Sequence, residues 1–224
     1  MSVTAGTNGT IVAAAKDTPP GRKRLAVVYD GTPFQHRAFN EPKYRQHIDD
    51  IVYLLDLPDV DLLQFDALLI PDRLHPERIM QSQQQIRDFL DAGRIVIALG
   101  EQPTMLLPGV RWEFRPTNFW WWLDPNQRSG LVLTQPEHSL FQYVTQEDCT
   151  WHQHGVFTPP AGAETLIALE NDGAVMYIDR VSTRGTMLVT CLDPTYHYGS
   201  YFMPATERFL DGFLPWVRAE LLPG

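Results

Sequence analysis

Ala67-Leu68-Leu69-Ile70-Pro71-Asp72, the amphipathic run from Pro76 to Gly93, and Ile95-Val96-Ile97-Ala98-Leu99-Gly100 decide the fold. The two apolar runs are short and have no polar alternation, which is the pattern of strands buried on both faces. Between them Ile79, Ile86, Phe89 and Leu90 recur at helical spacing, while Gln81, Gln84, Arg87, Asp88 and Asp91 fall on the opposite side. Pro76 suits a first helical turn, where no backbone N–H is needed, and Gly93 suits a left-handed helix end. The stretch therefore predicts a strand–helix–strand unit. Such units have parallel strands and a right-handed crossover, so helices must cover both faces of the sheet.

Upstream, Leu25-Ala26-Val27-Val28-Tyr29 stops at Asp30-Gly31-Thr32-Pro33 and predicts a first buried strand. The stretch between Pro42 and Ile51 reads as partly helical. Val52-Tyr53-Leu54-Leu55 is compatible with either a strand or a helix end. Residues 1–23, rich in Thr, Gly, Ala and Ser and broken by Pro19-Pro20-Gly21, read as a flexible tail. Downstream the strand candidates are Leu131–Leu133, Thr165–Leu169, Ala174–Ile178 and Gly185–Thr190, with Asn171-Asp172-Gly173 marking a hairpin. A closing helix over Pro204–Leu221 places Phe209, Leu210, Phe213, Val217 and Leu221 on one face.

Composition limits the functional classes. The chain of 224 residues is 44% hydrophobic and carries a net charge of −9. That is enough apolar material for one sizeable core. The first 24 residues are net +3 and the remainder −12, so an acidic body repels phosphate backbones and direct nucleic-acid binding is not expected. No apolar run reaches the roughly 20 residues that cross a bilayer, no secretory pattern opens the chain, and the expectation is a cytoplasmic protein with no membrane partner. Two cysteines, Cys149 and Cys191, make at most one bridge. No phosphate loop and no dinucleotide fingerprint is present, and Ser139, Ser182 and Ser200 lack the setting of a serine elbow.

Several segments resemble the class I glutamine amidotransferase-like superfamily, nearest its trehalose-utilisation-type branch. They are Phe65–Asp72, Phe89-Leu90-Asp91-Ala92-Gly93, Ile97-Ala98-Leu99-Gly100, Pro136-Glu137-His138-Ser139-Leu140-Phe141, Asp193-Pro194-Thr195-Tyr196-His197 and Phe209–Trp216. The resemblance spans residues 24 to 221. It implies one three-layer α/β domain over 24–224, with a mostly parallel, flavodoxin-like sheet and a β-rich aromatic insertion. It also implies a cysteine nucleophile on the turn after Ile95–Leu99, where Gly100-Glu101-Gln102-Pro103 stands, with Glu101 at the elbow position. His197 would correspond to the family's histidine, but the glutamate expected two positions on is Gly199. A carboxylate cannot form the thioester that the family's reaction requires, so glutaminase activity is not expected.

The leading expectation is a non-catalytic binding or assembly module. Its ligand pocket would bring together Asp30, Asp72, Glu101 and His197 at the carboxyl ends of the strands, beside the point where strand order reverses. The alternative is a hydrolase or isomerase of a small polar or sugar-like substrate, with Glu101 and His197 as acid/base pair. His152 and His154 would share one face of a strand and offer two imidazoles to zinc or another transition metal; otherwise they are surface or hydrogen-bonded strand residues, and no cofactor is needed. Three adjacent tryptophans cannot all face one core, so Trp112, Trp120, Trp121 and Trp122 read as a surface for a protein partner or a second copy. A carbohydrate contact or a small second core are the other readings of that block.

Overall fold

The computed structural model describes residues 11–14, 21–116, 123–124, 126–201 and 203–223. Its centre is five parallel strands in the order β3 (Asp50–Tyr53), β2 (Leu25–Tyr29), β4 (Ala67–Ile70), β5 (Ile95–Leu99) and β11 (Thr186–Thr190). Buried apolar side chains on both faces of β2 and β4 account for the unalternating sequence runs. The ambiguous run at Val52-Tyr53 belongs to β3. From β2 the chain moves outward to β3 through α1 (Pro33–Asn40) and α2 (Pro42–Arg45). From β4 it moves the opposite way to β5 through α3 (Pro76–Ile79) and α4 (Gln83–Asp91). Right-handed crossovers running in opposite directions leave their helices on opposite faces, which gives three layers.

The helix expected from Pro76 is interrupted by a 3-10 turn at Met80–Ser82, yet Ile79, Ile86, Phe89 and Leu90 are all fully buried. At its end Gly93 takes φ +82°, with Gly93 N donating to Leu90 O and Arg94 N to Phe89 O, which satisfies two carbonyls the helix leaves open. The closing helix α6 (Pro204–Trp216) contains Pro215 and continues through Val217–Leu221 as a wider π turn. A proline inside a helix lacks the N–H that ordinary winding uses, and the wider turn accommodates it.

Beyond β11 the sheet turns antiparallel. Strand β10 (Ala174–Asp179) pairs with β11, with β9 (Glu164–Leu169) and with β8 (Gly155–Phe157). The outer strands are β6 (Trp112–Phe114) on β8 and β7 (Leu131–Leu133) on β9. The hairpin joining β9 to β10 turns at Asn171, φ +60°. The β-rich segment is therefore an extension of the same sheet.

At the other margin the structure departs from the flexible tail read over 1–23: Ile11–Ala14 forms β1, antiparallel to β3. Four apolar residues are too few to show a period, but the open edge of β3 supplies their pairing. The arginines that lead into β2 make structural ion pairs. Arg22 and Arg218 pair with Asp49, and Arg24 with Asp50, both aspartates being buried. No described helix is long and apolar enough to cross a membrane.

Candidate functional site

A cavity of about 870 Å³ opens over the carboxyl ends of β4, β5 and β11. Asp72, Arg73, Leu74 and Pro76 come from the loop after β4, Glu101 to Thr104 from the loop after β5, and Cys191 and Asp193 from the end of β11. The facing wall is β6. There Trp112 and Phe114, two apart on one strand, both line the cavity with their rings 6.4 Å apart. Glu113, between them, pairs instead with Arg115, which also holds Asp172.

Asp193 is the hub beneath the cavity. It is 4% exposed, and its Oδ1 accepts from Trp151 Nε1 at 3.1 Å and lies 3.2 Å from His197 Nε2, while its Oδ2 accepts from Arg73 at 3.1 Å. Burial opposes ionisation of Asp193, but donation from His197 and Trp151 and the Arg73 charge outweigh it and hold its carboxyl below the usual carboxylate range. Asp72, also buried, accepts from Thr195 N at 3.1 Å, Tyr196 N at 3.0 Å and the Thr195 hydroxyl. It thereby fixes the first turn of α5 (Pro194–Gly199). Burial first, and the Asp193 charge second, push its carboxyl up to about 7.

Two left-handed residues bring these loops together. Gly100 has φ +71°, and a Cβ there would stand 2.6 Å from Asp72 Cβ. Arg73 has φ +60°, a conformation costly for a side-chain-bearing residue. Its guanidinium lies 3.9 Å from the Tyr196 ring centroid, and this stacking together with the Asp193 bond holds the group in place.

Of the four residues expected in one pocket, Asp72 and Glu101 line the cavity. His197 lies behind it, 2% exposed, touching Asp193 and lining a separate cleft of about 180 Å³ with Arg37, Tyr198 and Tyr201. Glu101 and His197 thus border different cavities, contrary to their reading as an acid/base pair. Asp30 lines neither. The space beside the reversal of strand order is filled by Gln35, fully buried, whose Oε1 accepts from Asp30 N and whose Nε2 donates to Asp72 O. The cavity accordingly sits one strand further along the sheet.

His152 and His154 precede β8 rather than lying on a strand, with ring centroids 5.4 Å apart; His152 also meets His197 edge to face at 4.7 Å. Among the described residues no group of three or more His, Cys, Asp or Glu is arranged to hold a metal ion. Trp112 is a cavity wall, and Trp120, Trp121 and Trp122 lie outside the described residues. Asp193, Arg73 and Trp151 were not legible as site residues. The one available signal was Asp193-Pro194 after a strand, the signature of a helix start with proline at its first position.

The turn after β5 has no elbow. Gly100-Glu101-Gln102 leads into irregular chain up to Val110, and Gln102 Nε2 folds back onto Leu99 O at 2.7 Å. Cys149 and Cys191 are free and buried. Cys191 borders the cavity, but burial, then the Asp193 charge, push its thiol above the ordinary value, so it keeps its proton.

Burial, then the neighbouring His197, lower His152 from 6.5 to about 4. Between those values the unfolded chain carries a proton that the folded chain refuses, so this group removes stability as pH falls from 6.5 towards 4. Asp72 acts in the opposite sense, since its raised carboxyl makes ionisation unfavourable to the fold as pH climbs towards 7. The difference between wild type and His152→Gln isolates the histidine. We expect the variant's urea midpoint to fall less steeply below pH 6.5; parallel profiles would show that His152 takes up its proton in the folded state.

No family model matches the sequence, and no curated protein matches it. Solved structures do. A cytoplasmic protein from Salmonella typhimurium aligns with a TM-score of 0.53 at 13% identity, over 88% of this chain and 99% of that one. A glutamine amidotransferase from Thermotoga maritima aligns with a TM-score of 0.50 at 12% identity, over 90% of this chain and 86% of that one. At such identities the likeness shows the fold: a mixed sheet of mostly parallel strands flanked by helices, of the kind a glutamine amidotransferase carries.

Proposed function

We propose that this chain is a non-catalytic module of glutamine amidotransferase-like fold, near the trehalose-utilisation-type branch, that binds a small molecule in the cavity above β4, β5 and β11. The observation that carries the reading is the turn after β5. A built cavity remains at the carboxyl ends of the strands, in the size range of small-ligand sites, while the turn that would display a nucleophile carries Gly100-Glu101-Gln102 and no helix behind it. Burial and the Asp193 charge push the thiol of Cys191, the one thiol bordering that cavity, above its ordinary value, which disfavours the nucleophilic thiolate. Separation of Glu101 from His197 weighs against the hydrolase or isomerase alternative. Two unbridged cysteines suit a reducing compartment such as the cytoplasm, and Trp120, Trp121 and Trp122 remain the proposed contact for a protein partner or second copy.

Ammonia release from glutamine, measured for wild type and Cys191→Ser, tests the catalytic side. We expect no release above buffer from either protein. Release by wild type that disappears in Cys191→Ser would make the chain an enzyme and overturn the reading.

A further inference from the structure

We propose that the cavity ligand is a small planar organic anion, an aromatic or heteroaromatic carboxylate, laid against Trp112 and Phe114 with its charge on Arg111 and Arg73. This rests on the ligand-binding reading above and adds the chemical class.

The charges that a ligand would meet differ from those that merely border the cavity. Asp193 and Asp72 are buried, and each is already met by three protein groups: Trp151, His197 and Arg73 for the first, two backbone N–H groups and a hydroxyl for the second. The accessible charges are Arg111, Arg73 and Glu101. Arg111 is exposed, and no described residue takes its guanidinium in a hydrogen bond or ion pair. On a chain of net charge −9, where most arginines are engaged by carboxylates or backbone carbonyls, one beside a cavity with no such partner among the described residues is a distinct feature.

Arg73 contributes a prepared donor. A guanidinium has five N–H groups, and one is spent on Asp193. Stacking on Tyr196 and a left-handed backbone fix the remainder with the side chain still 42% exposed to the cavity. Planar forked donors match a carboxylate, and little rotamer freedom is left to lose on binding. The opposite wall supplies shape. Strand alternation puts Trp112 and Phe114 on the cavity side, and Phe114 is 63% exposed, an apolar ring that the fold leaves uncovered. Flat aromatic walls favour a flat ligand.

The probes are benzoate, its neutral isostere benzamide, the non-planar anion cyclohexanecarboxylate, and the neutral sugar trehalose, each titrated into the full chain by calorimetry. We expect benzoate to bind at least tenfold more tightly than the other three. Arg111→Gln and Phe114→Ala, both at exposed side chains, should each weaken it about tenfold, and Glu101→Gln should tighten it by removing a like charge. Failure of benzoate to bind, equal binding of benzamide or trehalose, unchanged binding by Arg111→Gln, or weakening by Glu101→Gln would each overturn the proposal. Tight trehalose binding with no benzoate binding would sink the anion while leaving the binding module standing; cysteine-dependent glutamine hydrolysis would sink the module itself.

Discussion

Gly100→Ala is expected to cost about 2–5 kcal/mol of folding stability, combining left-handed strain of ~1–2 kcal/mol with overpacking of ~1–3 kcal/mol. The new Cβ would lie 2.6 Å from Asp72 Cβ, 3.2 Å from Asp72 Cα and 3.6 Å from Asp193 Cβ. Two of those neighbours belong to a buried carboxyl tied to α5, so neither can swing aside as a flexible side-chain tip would. Gly93 provides the control. Its φ of +82° is similar, but nothing lies within 4 Å of the Cβ position, so Gly93→Ala should lose only the backbone part, about 1–2 kcal/mol. Urea unfolding of both variants reads the difference. If the two losses are equal, the close approach of the loops after β4 and β5 is not what requires glycine at position 100.

The second large effect is at Asp193. Asp193→Ala removes the shared acceptor of Trp151 Nε1 and Arg73 and the carboxylate neighbour of His197, at a site 4% exposed, and should cost about 3–5 kcal/mol. Most of that loss comes from the groups left behind rather than from the net value of the ion pair, because the Trp151 indole N–H and the His197 ring are buried and would remain desolvated. The prediction has an internal check. In the Arg73→Met background Asp193→Ala should cost less, since the Arg73–Asp193 ion pair is already gone, and the cycle of four proteins measures that coupling. Additive losses would mean that Arg73 and Asp193 do not depend on each other in the folded state.

Much of the architecture was readable because burial on both faces leaves a plain mark. Ala67–Ile70 and Ile95–Leu99 have no polar alternation, Gly93 stops a helix, and Asn171-Asp172-Gly173 turns a hairpin; each signal is local and each element is present. What failed depends on partners distant in sequence. Ile11–Ala14 is a strand only because the edge of β3 is available to it. His197 looked like a pocket residue from its place after a strand, but on α5 it lines the smaller cleft with Arg37 and Tyr198 and not the cavity that Glu101 borders. Asp30 was placed by a general rule about strand reversal that Gln35, a buried glutamine with no distinguishing pattern, sets aside here. Asp193 is one aspartate among many until Trp151, Arg73 and His197 converge on it.

Strand β11 lies between β5 and β10, and its register sets Thr186 beside Ile95 with the whole antiparallel half of the chain intervening. During synthesis the first four parallel strands and their helices are complete long before that last central strand emerges. They can form a sheet from local crossovers, but its β5 margin stays bare. The cavity has one wall on each side of that seam: Arg73 and Glu101 belong to the early half, Trp112, Cys191 and Asp193 to the late one. Occupancy by a ligand would therefore report that the two halves have joined, and a molecule bound there would act as a clasp across the strand pairing with the largest sequence separation.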